Sequence, residues 1–357
     1  MESIFNFISL YTIIQIVGIV LILIGVISLL ITRDKANALI AVGGLLLAIF
    51  PFSSVFDQND QSSNTGTSHY ISGDYEVEQE GNKVKIIKYF GNEEMHIIPK
   101  KLNNFTVTAI ADYAFHNNHV IKVIEIPDSV VSIEKNAFSY CMSLSEIKVS
   151  NGNRSYSDYD GCLYNYDQKV LMRVPAGKKV AVNIPKETKL IVPTAFSFCY
   201  DIEEIIVDNN NADICDYSGA VYSKDFYSLI VCPPGKKGVF LLHDYCRIIE
   251  DAAFLHCKYL YEIILSENLS IICEQAFWYC DSITSMTIPE SVRSIDRLAF
   301  GGCHNMESIF FEGDAPNVVN NIFGDIGGSY IESLAVYYKD GRAGWSEVFC
   351  DKETSIY

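Results

Sequence analysis

Charge is nearly missing from the first 56 residues: Ser3 to Thr32 has none, and the stretch as a whole carries only Glu2, Arg33, Asp34 and Lys35. Such a segment cannot form a solvated surface. Basic residues are also short overall, with 27 Lys and Arg against 44 Asp and Glu. Because the four N-terminal charges cancel, the entire formal charge of −17 falls on residues 57 to 357, which excludes nucleic acid or an anionic lipid surface as the main ligand. Catalytic signatures are missing too. There is no glycine loop to cradle phosphate, no HExxH, no nucleophile elbow, and no carboxylate pair that periodicity does not explain. The sequence therefore predicts a non-enzymatic protein with no cofactor and no metal. The opening MESIFNF has no Lys or Arg, and no small-residue cleavage site follows the apolar run, which argues against a secretory signal peptide.

Long apolar runs are what the N-terminus does have. Ile13 to Ile31 is broken only by Gln15, Gly18, Gly25 and Ser28, enough for the roughly 20 residues that cross a bilayer. A second uncharged run extends from Ala36 to Phe56. These predict a transmembrane helical hairpin over residues 1–56, with helices at about 8–32 and about 36–56. Arg33 and Lys35 in the connecting turn predict a cytoplasmic turn, and hence an extracytoplasmic location for everything that follows. Asp57 to Ser68 contains no aliphatic or aromatic side chain to offset the entropy of ordering, so residues 57–69 read as a flexible linker.

Beyond the linker the chain repeats itself. Ala-Phe recurs at Ala114, Ala137, Ala195, Ala253, Ala276 and Ala299, in steps of 23, 58, 58, 23 and 23. Four residues before each Ala stands an isoleucine: Ile110, Ile133, Ile191, Ile249, Ile272 and Ile295. Ten after it come Ile124, Ile147, Ile205, Ile263, Met286 and Ile309, and twelve after it Ile126, Val149, Val207, Leu265, Ile288 and Phe311. Positions ten and twelve alternate as on a short strand, with the residue between them turned to the other face. The Ala-Phe segment suits a short helical or 3₁₀ turn. A unit this small cannot bury its own apolar face, so the units must stack and set their strands parallel. The two long steps add matching pieces: Asp160-Gly161-Cys162-Leu163-Tyr164 with Pro175-Ala176-Gly177-Lys178-Lys179, and Ser218-Gly219-Ala220-Val221-Tyr222 with Pro233-Pro234-Gly235-Lys236-Lys237. Each reads as an added β-hairpin.

The unit from Ile126 through Ala137-Phe138 and Cys141 to Val149, closely repeated from Ile288 to Phe311, resembles the BspA-like class of leucine-rich repeats. The long units and the tail Val336 to Trp345 resemble that family's extended repeats and C-terminal segment, and the resemblance covers about residues 70–350. The expected fold is an α+β repeat solenoid of parallel strands with short helical or 3₁₀ turns and added β-hairpins, plus the two N-terminal transmembrane helices. Its expected divisions are a capping hairpin at 70–99, repeats at 100–312 with long units near 150–184 and 208–242, and a C-terminal cap at 313–357.

Eleven cysteines suggest disulfides at first sight, but Cys141, Cys199, Cys257, Cys280 and Cys303 all fall four residues after the repeat Ala, as a buried ladder would. His116 with His119, His256 beside Cys257, and Cys303 beside His304 look like metal pairs, but structural use fits them better. Asn104, Asn153 and Asn268 each begin a glycosylation sequon. Outward strand positions give one candidate row of Glu125, Lys148, Ile206, Ile264, Thr287 and Phe310, and a neighbouring row that includes Glu146, Glu204 and Glu262, with Tyr261 beside them. Exposed Ile206 and Ile264 would mark an interaction surface, unless the long-unit hairpins fold over them. The resemblance implies a surface module that recognises or adheres to a protein partner, anchored in the membrane through residues 1–56. The alternative is a membrane sensor or assembly subunit whose hairpin recruits partners.

Overall fold

A unit too small to close on itself cannot pair all of its own backbone amides, and the architecture follows from how the remaining ones find partners in the neighbouring unit. The structure is a computed structural model that describes residues 67–319, 321–324, 331 and 333–357. The transmembrane hairpin expected over residues 1–56 and most of the expected linker lie outside these residues. Among the described residues no helix is long and apolar enough to cross a membrane.

Each unit runs through a front strand, a short back strand and a turn segment, and each of the three pairs with its counterpart in a neighbouring unit. At the front, Met95–Ile97, Val123–Ile126 and Glu146–Val149 form one parallel sheet. Val180–Ile184 pairs with Ile202–Val207, and Gly238–Leu241 with Leu260–Ile264. Ser285–Ile288, Ser308–Phe311, Ala335–Tyr338 and Lys352–Ile356 continue in parallel, and Val348–Phe349 closes the edge antiparallel. The isoleucine column forms the back: Ile248–Ile249, Ile271–Ile272 and Ser294–Ile295 pair in register, with Ile249, Ile272 and Ile295 fully buried. The position-ten column is buried along its whole length, from Ile124 to Ile309.

The Ala-Phe segments are not helical, which corrects the expected α+β class: among the described residues there are strands and turns only. Backbone conformation explains this. Residues before and after the Ala-Phe pair take positive φ, as at Tyr113 and Asn117, Ala252 and His256, and Gln275 and Tyr279, and a left-handed residue every fourth position ends any right-handed helix. Alternate amides then leave the segment to join the next unit. Phe254 N–H donates to Ala276 O at 2.7 Å, Phe277 N–H to Ala299 O at 2.7 Å, and His256 N–H to Trp278 O at 2.9 Å. The rings stack inside: Phe254 on Phe277 at 5.1 Å, and Phe277 on Phe300 at 5.2 Å with 1° between planes.

The added pieces form three-stranded antiparallel sheets, Tyr156–Tyr159 with Cys162–Asn165 and Val170–Arg173, and Ile214–Tyr217 with Ala220–Ser223 and Ser228–Val231. Their tight turns carry Gly161 at φ 71° and Gly219 at φ 78°. At the N-terminal end Thr67–Ser72, Tyr75–Glu80 and Lys83–Tyr89 pair antiparallel, and Lys83–Tyr89 joins the repeats through Phe105–Ile110. His96 lies beneath them, with Tyr75 Oη at 2.6 Å and Tyr89 Oη at 3.0 Å from its two ring nitrogens.

The loops entering the long units hang on two asparagines. Asn153 Nδ2 donates to Pro127 O at 2.9 Å and Val130 O at 3.0 Å, and its Oδ1 accepts from Ser155 and Tyr156 N–H, both at 2.8 Å. Asn211 repeats the pattern on Pro185, Thr188, Asp213 and Ile214. Asn153 is only 3 % exposed, so its sequon is closed to a glycan while the fold holds, whereas Asn104 and Asn268 are exposed. Asn153→Ala leaves four backbone groups short of a partner. It should cost about 3 kcal/mol of unfolding free energy by denaturant titration, against at most about 0.5 kcal/mol for Asn104→Ala.

Candidate partner-binding face

The pleat of the front strands turns alternate residues outward. Glu125 is half-buried and accepts from Ser150 Oγ at 3.2 Å. Glu146 and Lys148 pair with each other at 3.6 Å, an exposed contact worth little. Glu204 and Ile206 stand outward on Ile202–Val207, with Ile206 41 % exposed. Tyr261, Glu262 and Ile264 stand outward on Leu260–Ile264, with Tyr261 59 % and Ile264 45 % exposed. The hairpins therefore do not cover the two isoleucines. Thr287 is exposed on Ser285–Ile288, and Phe310 is half-buried because it stacks on Tyr337 at 4.9 Å.

The hairpins lie in the front ladder instead of over it. Ile147 N–H donates to Gly161 O at 2.8 Å, and Ile205 N–H to Gly219 O at 2.9 Å, so each hairpin tip takes the place of a rung. The face is thereby divided. Glu125, Glu146 and Lys148 belong to one section, Glu204 and Ile206 to the next, and Tyr261, Glu262 and Ile264 to a third. Tyr261, Glu262, Ile264 and Thr287 come together around a cleft of about 520 Å³, rimmed also by Glu267 and Glu312, where Leu260–Ile264 and Ser285–Ile288 lie side by side without pairing.

Several outward apolar residues escaped the sequence reading, four of them on two of the front strands. Val239 (43 % exposed) and Leu241 (57 %) stand in register with Glu262 and Ile264, and Met95 and Ile97 stand exposed on the first front strand. They fall outside the Ala-Phe register. The usable signal was local alternation, since their neighbours Phe240 and Leu242 are buried. With Ile264 and Tyr261, Val239 and Leu241 make the front surface locally apolar beside Glu262.

A second column was also missed. The left-handed residue three after each Ala is Tyr140, Phe198, His256 or Tyr279 in successive units, and these rings stack: Tyr140 on Phe198 at 4.1 Å, Phe198 on His256 at 4.7 Å, and His256 on Tyr279 at 5.3 Å. Stacking offsets backbone strain of order 1 kcal/mol per residue.

The repeat cysteines are buried, and each donates its S–H to a carbonyl of the preceding unit, as in Cys141 to Phe115 O at 3.0 Å, Cys280 to Phe254 O at 3.1 Å and Cys303 to Phe277 O at 3.0 Å. Burial pushes the Cys141 thiol up to about 11 and the Cys199 and Cys303 thiols up to about 12, so none is a ready nucleophile. All eleven cysteines are unpaired thiols. Among the described residues no three acidic, histidine or cysteine side chains gather as a metal site. His304 meets Asp281 at 3.0 Å rather than completing a pair with Cys303.

Burial in the aromatic column lowers the His256 pKa from 6.5 to about 4; Asp281 opposes the shift and Lys258 adds to it. The folded state thus favours neutral imidazole. Its contribution to stability is complete above pH 6.5 and is lost as pH falls toward about 4. His256→Phe should keep the stack and flatten the thermal midpoint across that window, relative to the unaltered protein.

The model for "BspA type Leucine rich repeat region" matches in six copies over residues 85–170 and 239–334. Among solved structures, a leucine-rich repeat protein from Eubacterium ventriosum is 16 % identical, with TM-score 0.50, over 82 % of this chain and 84 % of its own. The pneumococcal vaccine antigen PcpA is 14 % identical, with TM-score 0.46, over 81 % of this chain and 93 % of its own. A leucine-rich cell surface protein from Faecalibacterium prausnitzii is 21 % identical, with TM-score 0.31, over 70 % and 89 %. No curated protein matches the chain.

Proposed function

The chain belongs to the BspA-type leucine-rich repeat family, and we propose that it is a surface recognition or adhesion module, held in the membrane by residues 1–56, that binds a protein partner through the front strands. One observation carries this reading: Val239, Leu241, Tyr261 and Ile264 remain exposed side by side on one strand pair, together with Glu262. A contiguous apolar patch with a charged rim is what partner proteins bury. The rest of the front face, with Glu125, Glu146, Lys148, Ile206, Thr287 and Phe310, supplies complementarity around it. The outward orientation rests on Arg33 and Lys35 in the turn of the N-terminal hairpin.

Glu204→Lys combined with Ile264→Glu should lower attachment of cells displaying the full chain to their target surface by about tenfold, equivalent to about 1.4 kcal/mol. Unchanged attachment would remove the front face from the reading. Protease added to intact cells should digest the repeat region while residues 1–56 stay protected; a protected repeat region would reverse the orientation and the surface role with it.

A further inference from the structure

Three rings from three separate elements meet at the N-terminal end of the stack. Tyr75 comes from the hairpin of Thr67–Ser72 and Tyr75–Glu80, Tyr89 from the back strand Lys83–Tyr89, and His96 from the front strand Met95–Ile97. All three are buried. Ring centroids lie 5.1 Å apart for Tyr75 and Tyr89, 5.8 Å for Tyr75 and His96, and 4.2 Å for Tyr89 and His96, and Phe115 of the first Ala-Phe pair is 6.0 Å from His96. Both imidazole nitrogens are taken: Nε2 by Tyr75 Oη at 2.6 Å and Nδ1 by Tyr89 Oη at 3.0 Å.

Proton counting makes this cluster sensitive to charge. A neutral imidazole has one N–H and one lone pair, so one tyrosine hydroxyl accepts from the ring while the other donates to it. Protonation replaces the lone pair by a second N–H, which then points at the hydroxyl that was donating. That hydroxyl must turn its hydrogen elsewhere, and a charge is left inside an aromatic cluster. Two carboxylates face it: Glu93 on the loop before the front strand, 3.6 Å from Nδ1 but with its side chain 65 % exposed, and Asp74 in the hairpin turn. Burial outweighs both and lowers the His96 pKa below 6.5. Burial also raises Tyr75, and takes Tyr89 up to about 12, so both hydroxyls keep their protons and supply no negative charge.

Of the three elements, the hairpin is the one that can leave. Met95–Ile97 is held by Val123–Ile126, and Lys83–Tyr89 by Phe105–Ile110, so both belong to the repeats. The hairpin pairs on one side only, with Lys83–Tyr89, and Thr67–Ser72 is a sheet edge. A terminal element paired on one side opens at a lower free energy than the interior. The hairpin's own histidine, His69, is exposed on its outer face, 3.6 Å from Glu78. Charging His69 strengthens a contact within the hairpin and leaves the hold on the stack untouched.

We propose that the hairpin spanning residues 67–80 is an acid-released cap: protonation of His96 breaks its contact with Tyr75, and the hairpin leaves the end of the stack while the repeats stay folded. Val77, fully buried in the closed state, is uncovered together with the Tyr89 and His96 rings. The open cap lets His96 take up a proton near its ordinary pKa of 6.5, and the closed cap resists it. Closure is therefore strongest above pH 6.5 and weakens as pH falls below it. Glu93 and Asp74 oppose this loss and set how far the pH must fall.

The test uses the full chain in detergent with His256→Phe, which removes the other strongly desolvated histidine. Amide hydrogen exchange is followed residue by residue and divided by the intrinsic rate at each pH. Protection of Glu78 and Lys85, which face each other across the hairpin and the back strand, should fall about tenfold between about pH 7.5 and about pH 5. Ile272 and Ile295 in the back strands should change by less than about twofold. The midpoint should coincide with the His96 imidazole titration read by NMR. His96→Gln, which keeps one donor and one acceptor but does not titrate, should give protection that no longer depends on pH. Protection of the hairpin that is constant with pH, an equal loss in the back strands, or a pH dependence that survives in His96→Gln would overturn the proposal. If His96→Gln does not fold, the imidazole titration decides: a His96 midpoint more than about one pH unit from that of the hairpin would overturn it as well.

Discussion

Backbone pairing between successive units is the constraint on which everything else depends. No unit can satisfy its own amides, so each of its three segments must lie at hydrogen-bonding distance from the same segment of the next unit. That requirement sets the spacing at which Phe254, Phe277 and Phe300 stack, places Cys280 and Cys303 within reach of the preceding unit's carbonyls, and keeps the isoleucines of the back strands in register. Apolar burial supplies most of the driving force, but pairing decides where the buried groups can sit. At the cleft, where front pairing is interrupted, the turn segments and back strands on either side still pair, so the front surface varies there while the interior stays periodic.

Most of this periodicity was legible in the chain. Recurrence of Ala-Phe with isoleucine four residues before it gave the number of repeats, the long units and the inward columns, because burial selects residue type at each step. The turn segments were misread because neighbouring Ala and Phe suit a helix, and the left-handed positions that prevent one carry Tyr140, Phe198, His256 and Tyr279 instead of the glycine or asparagine that would announce them. Only Asn117 and Gly302 give that sign.

The candidate face was legible in part. Which residues point outward follows from the pleat, so Ile206, Tyr261, Glu262 and Ile264 could be named from spacing alone. How they are grouped could not, because the match between Asp160-Gly161 and Ser218-Gly219 shows that two hairpins exist without showing on which edge they rest. Val239 and Leu241 lie in segments that no Ala-Phe pair indexes. Asn153 carries a surface signature, yet two carbonyls and two amides hold it inside. A three-residue motif cannot report what lies 23 and 26 residues away.

The cysteine column has a consequence for where such a protein can work. Five thiols that hold their places through shape and weak S–H donation, none of them bridged, let the native state form without any oxidation step. A reductant that would dismantle a disulfide scaffold finds nothing here to cut.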